Sequence, residues 1–275
     1  MINFKDLWNK SGSLYQKYAQ EFPQYSETNR KLVEIADIRE SDILLDLASG
    51  TGLTTQEILK QSPQVDRIYA VDFSVDMMEL AQASIHSSKV IFFTVDAHEV
   101  DRYIPEKVDV VLCNSSFRQF QNQTTVLKSL YTLLNDQGRF VFNLNQQFFD
   151  FEQPEPIQKL IVETIFSEME KRGFETHQRL IPKTNKEKLK GLFKKTGFIL
   201  EQVETIDVWP RTLDDFLSFL KIPATATFFE HVPPKKQEEI LATVRECMSP
   251  LVDQIENNRR IYFVAKKIPS DYPPW

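Results

Sequence analysis

The 275-residue chain is 41% hydrophobic with net charge −6, enough apolar content for one large α/β domain with an appended cap. Its apolar runs fall short of the roughly 20 residues of a membrane span, and an acidic chain without a long basic run is a poor binder of nucleic acid phosphates. The two cysteines, Cys113 and Cys247, lie far apart, suggest no metal framework, and fit a reducing, cytoplasmic setting.

The opening MINFKDLWNK lacks the uninterrupted apolar h-region of a signal peptide. Residues 4–20 are amphipathic and broken near Ser11-Gly12-Ser13, with Leu14, Tyr15, Tyr18 and Ala19 at helical spacing. A helix over 26–36 leads to the run at 43–45, which reads as a parallel strand buried on both faces and closed by Asp46. Gly50 and Gly52 make the next turn, Thr54 and Thr55 offer capping hydroxyls, and residues 56–59 begin a helix. Strand, glycine turn and helix together describe a nucleotide-type site. A dinucleotide fingerprint, G-x-G-x-x-G, needs a third glycine where Thr55 stands, and Asp46 would repel a pyrophosphate. A ligand with a positively charged end suits that acid better.

Residues 43–55, ILLDLASGTGLTT, resemble motif I of the class I S-adenosylmethionine-dependent methyltransferases. The resemblance implies a Rossmann-like, seven-stranded, mostly parallel sheet with helices on both faces and an antiparallel last strand. It implies S-adenosylmethionine as methyl donor and S-adenosylhomocysteine as product. Asp46 would support the methionine end, with the backbone of Ala48, Ser49, Gly50, Thr51 and Gly52 lying under the cofactor. Tyr15 and Tyr18 loosely match a tyrosine-bearing N-terminal helix that closes such sites; packing on the domain edge is the plainer reading.

Strand two covers 67–71 and ends in Asp72, which the resemblance places at the ribose diol, with Phe73 beside it. Met77, on the helix after Ser74, matches an apolar residue against adenine, or is core. Strand three, 90–95, ends in Asp96-Ala97, matching the family's adenine contact; Asp96 could equally cap a helix. His98 reads as a surface histidine. Strand four, 108–112, is followed by Asn114-Ser115-Ser116-Phe117-Arg118-Gln119-Phe120. In an open parallel sheet this stretch borders the switch point, so Asn114, Phe117, Arg118 and Phe120 are expected near the methyl group. The histidine common in related chains is missing there, which removes an obvious base. Arg118 could hold a carboxylate or face solvent.

A helix over 124–134 and a turn at 135–138 lead to strand five, 139–145. Its alternation puts Phe140, Phe142 and Leu144 on one face and Val141, Asn143 and Asn145 on the other; the asparagines are acceptor-pocket or structural polar groups. The aromatic segment with Phe148 and Phe149 departs from the basic fold. Family likeness returns at 186–208, with two further helices at 212–220 and 235–248 flanking Phe228 and Phe229, then a last strand at 260–266 and a proline-rich tail. The chain thus reads as a single methyltransferase domain spanning 1–275. Its core covers 26–146, 186–208 and 260–267, its lid 4–20, and its cap insertions 147–185 and 211–255.

The catalytic candidates are Tyr18, Asn114 and Arg118. Substrate candidates are Tyr15, Phe117, Arg118, Phe120, Asn143, Asn145, Phe149 and Phe228. The expected partner is a small, partly hydrophobic acceptor, with no metal. Two other readings stay open: a SAM-fold binding protein without transferase activity, and a nicotinamide oxidoreductase.

Overall fold

Short, mostly apolar runs form the parallel part of the sheet: β1 (Ile43–Leu47), β2 (Arg67–Asp72), β3 (Val90–Thr94) and β4 (Val108–Cys113), followed by β5 (Leu134–Asn145). The structure is a computed structural model that describes residues 4–146, 156–176, 184–252 and 255–269. With β6 (Phe198–Arg211) and β7 (Glu256–Lys267) the sheet has the order β3-β2-β1-β4-β5-β7-β6. β1 to β5 pair in parallel, and β7 runs antiparallel to both of its neighbours. This is the Rossmann-like sheet expected from the sequence, with the switch point between β1 and β4.

Alternation along each strand divides the core. Leu44, Ile68, Val110 and Val141 face α3 (Gln24–Ile35) and α4 (Leu53–Gln61); Leu45, Tyr69, Val111, Phe140 and Phe142 face α6 (Gln123–Leu133) and α8 (Lys186–Lys195). The turn expected at 135–138 lies inside β5 as an irregularity. Leu134 already pairs with Val108, and pairing resumes at Arg139 with Val110.

The two insertions share one core. Ile161, Ile165 and Met169 of α7 (Pro156–Lys171) pack with Phe216 and Leu217 of α9 (Leu213–Phe219) and with Ile240 and Val244 of α10 (Pro234–Met248). Each buried aliphatic side chain there contributes about 1.5–3 kcal/mol relative to exposure. β6 and β7 extend beyond the expected 208 and 260 and stay paired to Arg211 and Glu256, so the sheet itself runs into the segment expected as insertion. Among the described residues no helix is long and apolar enough to cross a membrane.

The expected break near Ser11-Gly12-Ser13 separates α1 (Phe4–Asn9) from α2 (Gly12–Glu21). Gly12 lets α2 lie against α5 (Val75–Ser84): a Cβ there would come within 2.9 Å of Leu80 Cδ1. The Ala224 amide donates to Ser11 Oγ at 3.1 Å, and the Tyr18 hydroxyl donates to Asp215 Oδ1 at 2.6 Å. Both bonds fasten the N-terminal helices to the cap.

Candidate cofactor and acceptor cavity

A cavity of about 460 Å³ opens at the carboxyl ends of β1 to β4, beside the switch point. Its floor begins with the turn after β1, where left-handed φ values recur at Ala48 (56°), Gly50 (54°) and Gly52 (84°). That path turns the backbone sharply under the cavity, at a cost at Ala48 of roughly 1–2 kcal/mol. Neighbouring strands hold it. The Ser49 amide donates to Val71 O at 2.9 Å, and the Gly50 amide donates to Asp72 Oδ2 at 2.9 Å. A Cβ on Gly50 would meet no protein atom within 4 Å and would project into open space, whereas one on Gly52 would come within 2.5 Å of Ile85 Cδ1. Gly50 therefore keeps room for a ligand, and Gly52 keeps room for α5.

Three strand-end acids stand around this turn. Asp46 lies beneath it, 1% exposed, accepting from the Thr55 hydroxyl at 2.7 Å through Oδ2; its Oδ1 is buried with no hydrogen-bond partner among the described residues. Burial pushes its pKa up to about 7, with the Thr55 bonds opposing and the Asp72 charge adding to the rise. Asp72 lines the cavity. Its Oδ1 accepts from the Ser74 amide at 2.9 Å and its Oδ2 from Gly50, the Phe73 amide also favours the charged form, and acceptor capacity is left for a ligand. Burial raises its pKa to about 6 against the pull of those amide bonds. Asp96 also lines the cavity and caps the 3-10 turn after β3, accepting from the His98 amide at 2.9 Å. The His98 ring bonds the same Asp96 oxygen and lines the cavity too, so it is no ordinary surface histidine.

The other walls are aromatic and amide-rich. Phe4, Lys5 and Trp8 of α1 and Tyr15 of α2 cover the site, facing Tyr25, Phe73, Met77 and Phe120. The Trp8 indole N–H donates to Gln119 Oε1 at 3.1 Å, tying α1 to the segment after β4. Burial raises the Tyr15 pKa well above the usual phenol value, reinforced by Tyr25, Tyr18, Asp72 and Asp46. A phenol so held is a proton donor, not a ready base.

Of the expected residues, Tyr15, Ala48, Ser49, Gly50, Asp72, Phe73, Met77, Asp96, Ala97, Asn114 and Phe120 line this one cavity. Asp46, Thr51 and Gly52 form its underlying support and do not line it. Others lie elsewhere for clear packing reasons. Tyr18 is 2% exposed, packed with Ile222 behind the wall residue Tyr25, its hydroxyl engaged by Asp215 and Gln24. Phe117 is fully buried among Phe140, Phe142 and Phe193. Phe228 packs on Phe166 at 5.4 Å in the cap. Asn143 is fully buried, accepting from the Ser115 amide and donating to Asn114. Arg118 and Asn145 do not line the cavity, although Gln119 and Phe120 do. Phe148 and Phe149 lie outside the described residues.

Asn29, Thr54, Tyr25, Trp8 and His98 line the cavity without having been expected there. The clue for Asn29 was its type: asparagine is a poor residue for a helix interior, and it falls one turn after Tyr25 on the same face. Among the described residues no group of three or more potential ligands could hold a metal ion.

Residues 45–142 match the family model described as a methyltransferase domain. The malonyl-[acyl-carrier protein] O-methyltransferase 1 of Ilyobacter polytropus is 26% identical over 147 residues, covering 50% of this chain and 54% of that protein. The chain spans about half the length of the curated relatives it matches. In fold it is similar to phosphoethanolamine N-methyltransferase 2 of Haemonchus contortus, solved with phosphomonomethylethanolamine and S-adenosylhomocysteine (TM-score 0.59, 15% identity, 98% of this chain and 61% of that one). It is also similar to the YcgJ protein of Bacillus subtilis (TM-score 0.55, 14% identity, 87% and 97%). Residues 45–142 thus match a methyltransferase domain, and the seven-stranded sheet they help to build is Rossmann-like.

Proposed function

We propose that this chain transfers a methyl group from S-adenosylmethionine to an oxygen, nitrogen or carbon of a small, partly hydrophobic metabolite. The observation that carries the reading is the convergence of the left-handed turn at Ala48–Gly52, Asp72 and Asp96 on one cavity, with Asp46 buried beneath. The residues present fit this cofactor. Gly50 leaves a space that a Cβ would fill, and Asp46 holds a buried oxygen without a partner. Asp72 retains acceptor capacity for a ribose hydroxyl beside its amide bonds, and Asp96 has an oxygen to spare for an amino group.

The cofactor supplies an electrophilic methyl group. The protein's part is alignment and exclusion of water. The turn and Asp72 fix the bound nucleoside; Tyr15, Tyr25, Phe120 and the α1 residues Phe4 and Trp8 enclose the remaining space and keep it dry. Tyr15, with its raised pKa, keeps its proton and can donate to an acceptor oxygen. The one histidine–acid pair in the described wall, His98 with Asp96, stands at the end of β3 beside the expected adenine contact, so proximity and desolvation carry the reaction.

The enclosed, aromatic chamber supports a small-molecule acceptor over a polymer, and Arg118 outside the wall removes the reason to single it out as a carboxylate holder. The name of the Ilyobacter relative makes oxygen the first acceptor atom to test. Calorimetric titration with S-adenosylmethionine, S-adenosylhomocysteine and NAD tests the reading. Binding of the first two and not NAD supports it; binding of NAD alone points to an oxidoreductase. If cofactor binds but a metabolite extract takes up no labelled methyl, the chain is a silent binding protein.

A further inference from the structure

A chain of side-chain amides runs from the sheet to the cavity wall, and its direction is fixed at one end by the backbone. The Ser115 amide can only donate, and it does so to Asn143 Oδ1 at 3.0 Å. Asn143 must then present Nδ2 to Asn114 Oδ1, at 2.6 Å. Asn114 in turn presents its own Nδ2 to Asn29 Oδ1, at 2.6 Å, and to Thr28 Oγ1, at 3.2 Å. The Thr54 hydroxyl donates to the same Asn29 oxygen at 2.7 Å. Asn29 Oδ1 is therefore occupied by two donors, and the amide cannot be turned over without opposing N–H to N–H. Its Nδ2 makes no hydrogen bond among the described residues. Asn29 is 3% exposed and lines the cavity, so that nitrogen has the cavity as its outlet.

We infer that Asn29 donates a hydrogen bond through Nδ2 to the carboxylate of the bound cofactor's amino-acid end, an inference that rests on the S-adenosylmethionine reading. A buried N–H donor selects an acceptor atom and leaves an ammonium unsatisfied. Thr54, which holds the amide from the other side, lies in the first turn of α4, a helix whose N-cap, Gly52, provides no side-chain cap. The positive end of that helix and the Asn29 donor favour an anion at the same corner of the cavity. Asp46, buried beneath the turn, adds the opposite preference through its negative charge, without touching the ammonium. The two amino-acid charges are thus sorted by an amide in the cavity wall and an acid buried beneath the glycine turn. The three asparagines act as a line of positioning residues whose purpose is the polarity of its last member.

Asn29→Asp tests this directly. Aspartate keeps an oxygen to accept from Thr54 and Asn114 but replaces the donor with a negative charge. Isothermal titration is carried out with S-adenosylhomocysteine and with its decarboxylated analogue, on wild type and variant. S-adenosylhomocysteine should lose at least about tenfold in affinity, while the analogue, lacking the carboxylate, should bind the variant at least as well as wild type. Equal losses for both ligands, or no loss for either, overturn the inference. Asn29→Ala serves should the aspartate variant fail to fold: it should weaken S-adenosylhomocysteine and level the wild-type preference for it over the analogue. Failure of wild type to bind either ligand would instead sink the cofactor reading itself.

Discussion

Asp72 accepts the Gly50 amide at 2.9 Å, so the carboxylate at the end of β2 holds the turn that follows β1. The same oxygens face the cavity, which joins the shape of the turn to recognition of the ligand. Asp72→Ala should therefore do two things. It should weaken S-adenosylhomocysteine binding by on the order of 1.5–3 kcal/mol for each hydroxyl bond lost, and loosen the turn. Calorimetry and amide hydrogen exchange at Gly50 measure the two effects. Near-wild-type affinity in a folded variant would remove Asp72 from the ribose site.

The two turn glycines should fail in different ways. Gly50→Val puts its side chain into the space left for a ligand, so it should abolish cofactor binding at a stability cost limited to about 1–2 kcal/mol of backbone strain. Gly52→Val meets Ile85 and Ala81 of the neighbouring segment and should cost about 1–3 kcal/mol in packing besides the strain at φ 84°. Urea unfolding and ligand titration on both variants separate the cases. A strongly destabilised Gly50→Val with intact binding would reverse the assignment.

The pH dependence follows from Asp46, at about 7, and Asp72, at about 6, against an ordinary value of 3.8. Both are raised in the folded protein, so the ligand-free fold binds their protons more tightly than the unfolded chain. That stabilisation is complete below about 3.8 and is lost as pH rises through 6 and 7. A cationic ligand favours the ionised acids. S-adenosylmethionine should therefore bind with proton release near neutral pH, and raise the melting temperature more at about pH 8 than at about pH 6. Titration in buffers of different ionisation enthalpy measures the released protons. Binding with no proton release would contradict the assignment of these acids to the site.

Tyr18 joins α2 to the cap through Asp215, which Arg211 Nε also contacts at 3.1 Å. Tyr18→Phe should destabilise the protein by on the order of 1–3 kcal/mol, since it withdraws a donor from a buried carboxylate. Cofactor affinity should change little, because Tyr18 does not line the cavity. A large loss of affinity without a loss of stability would return Tyr18 to the site.

The strand-end acids could be read from sequence because each depends on a local pattern: an apolar strand closed by aspartate at 46, 72 and 96. The alternation of β5 was equally local, and Phe140 and Val141 do take opposite faces. What failed was the choice between cavity and core. Phe117 and Phe120 are three residues apart, and only packing by Phe142 and Phe193 decides that the first is core and the second wall. Asn29 escaped for the same reason, because its partner Asn114 is 85 residues away.

The most direct test is a crystal structure with S-adenosylhomocysteine, in which the distances from the Asp72 carboxylate to the ribose hydroxyls are measured. Both hydroxyls should lie within hydrogen-bond distance of Asp72, with the sulfur facing the chamber walled by Tyr15 and Phe120. A ligand seated away from the Gly50 turn, or a ribose out of reach of Asp72, would contradict that placement.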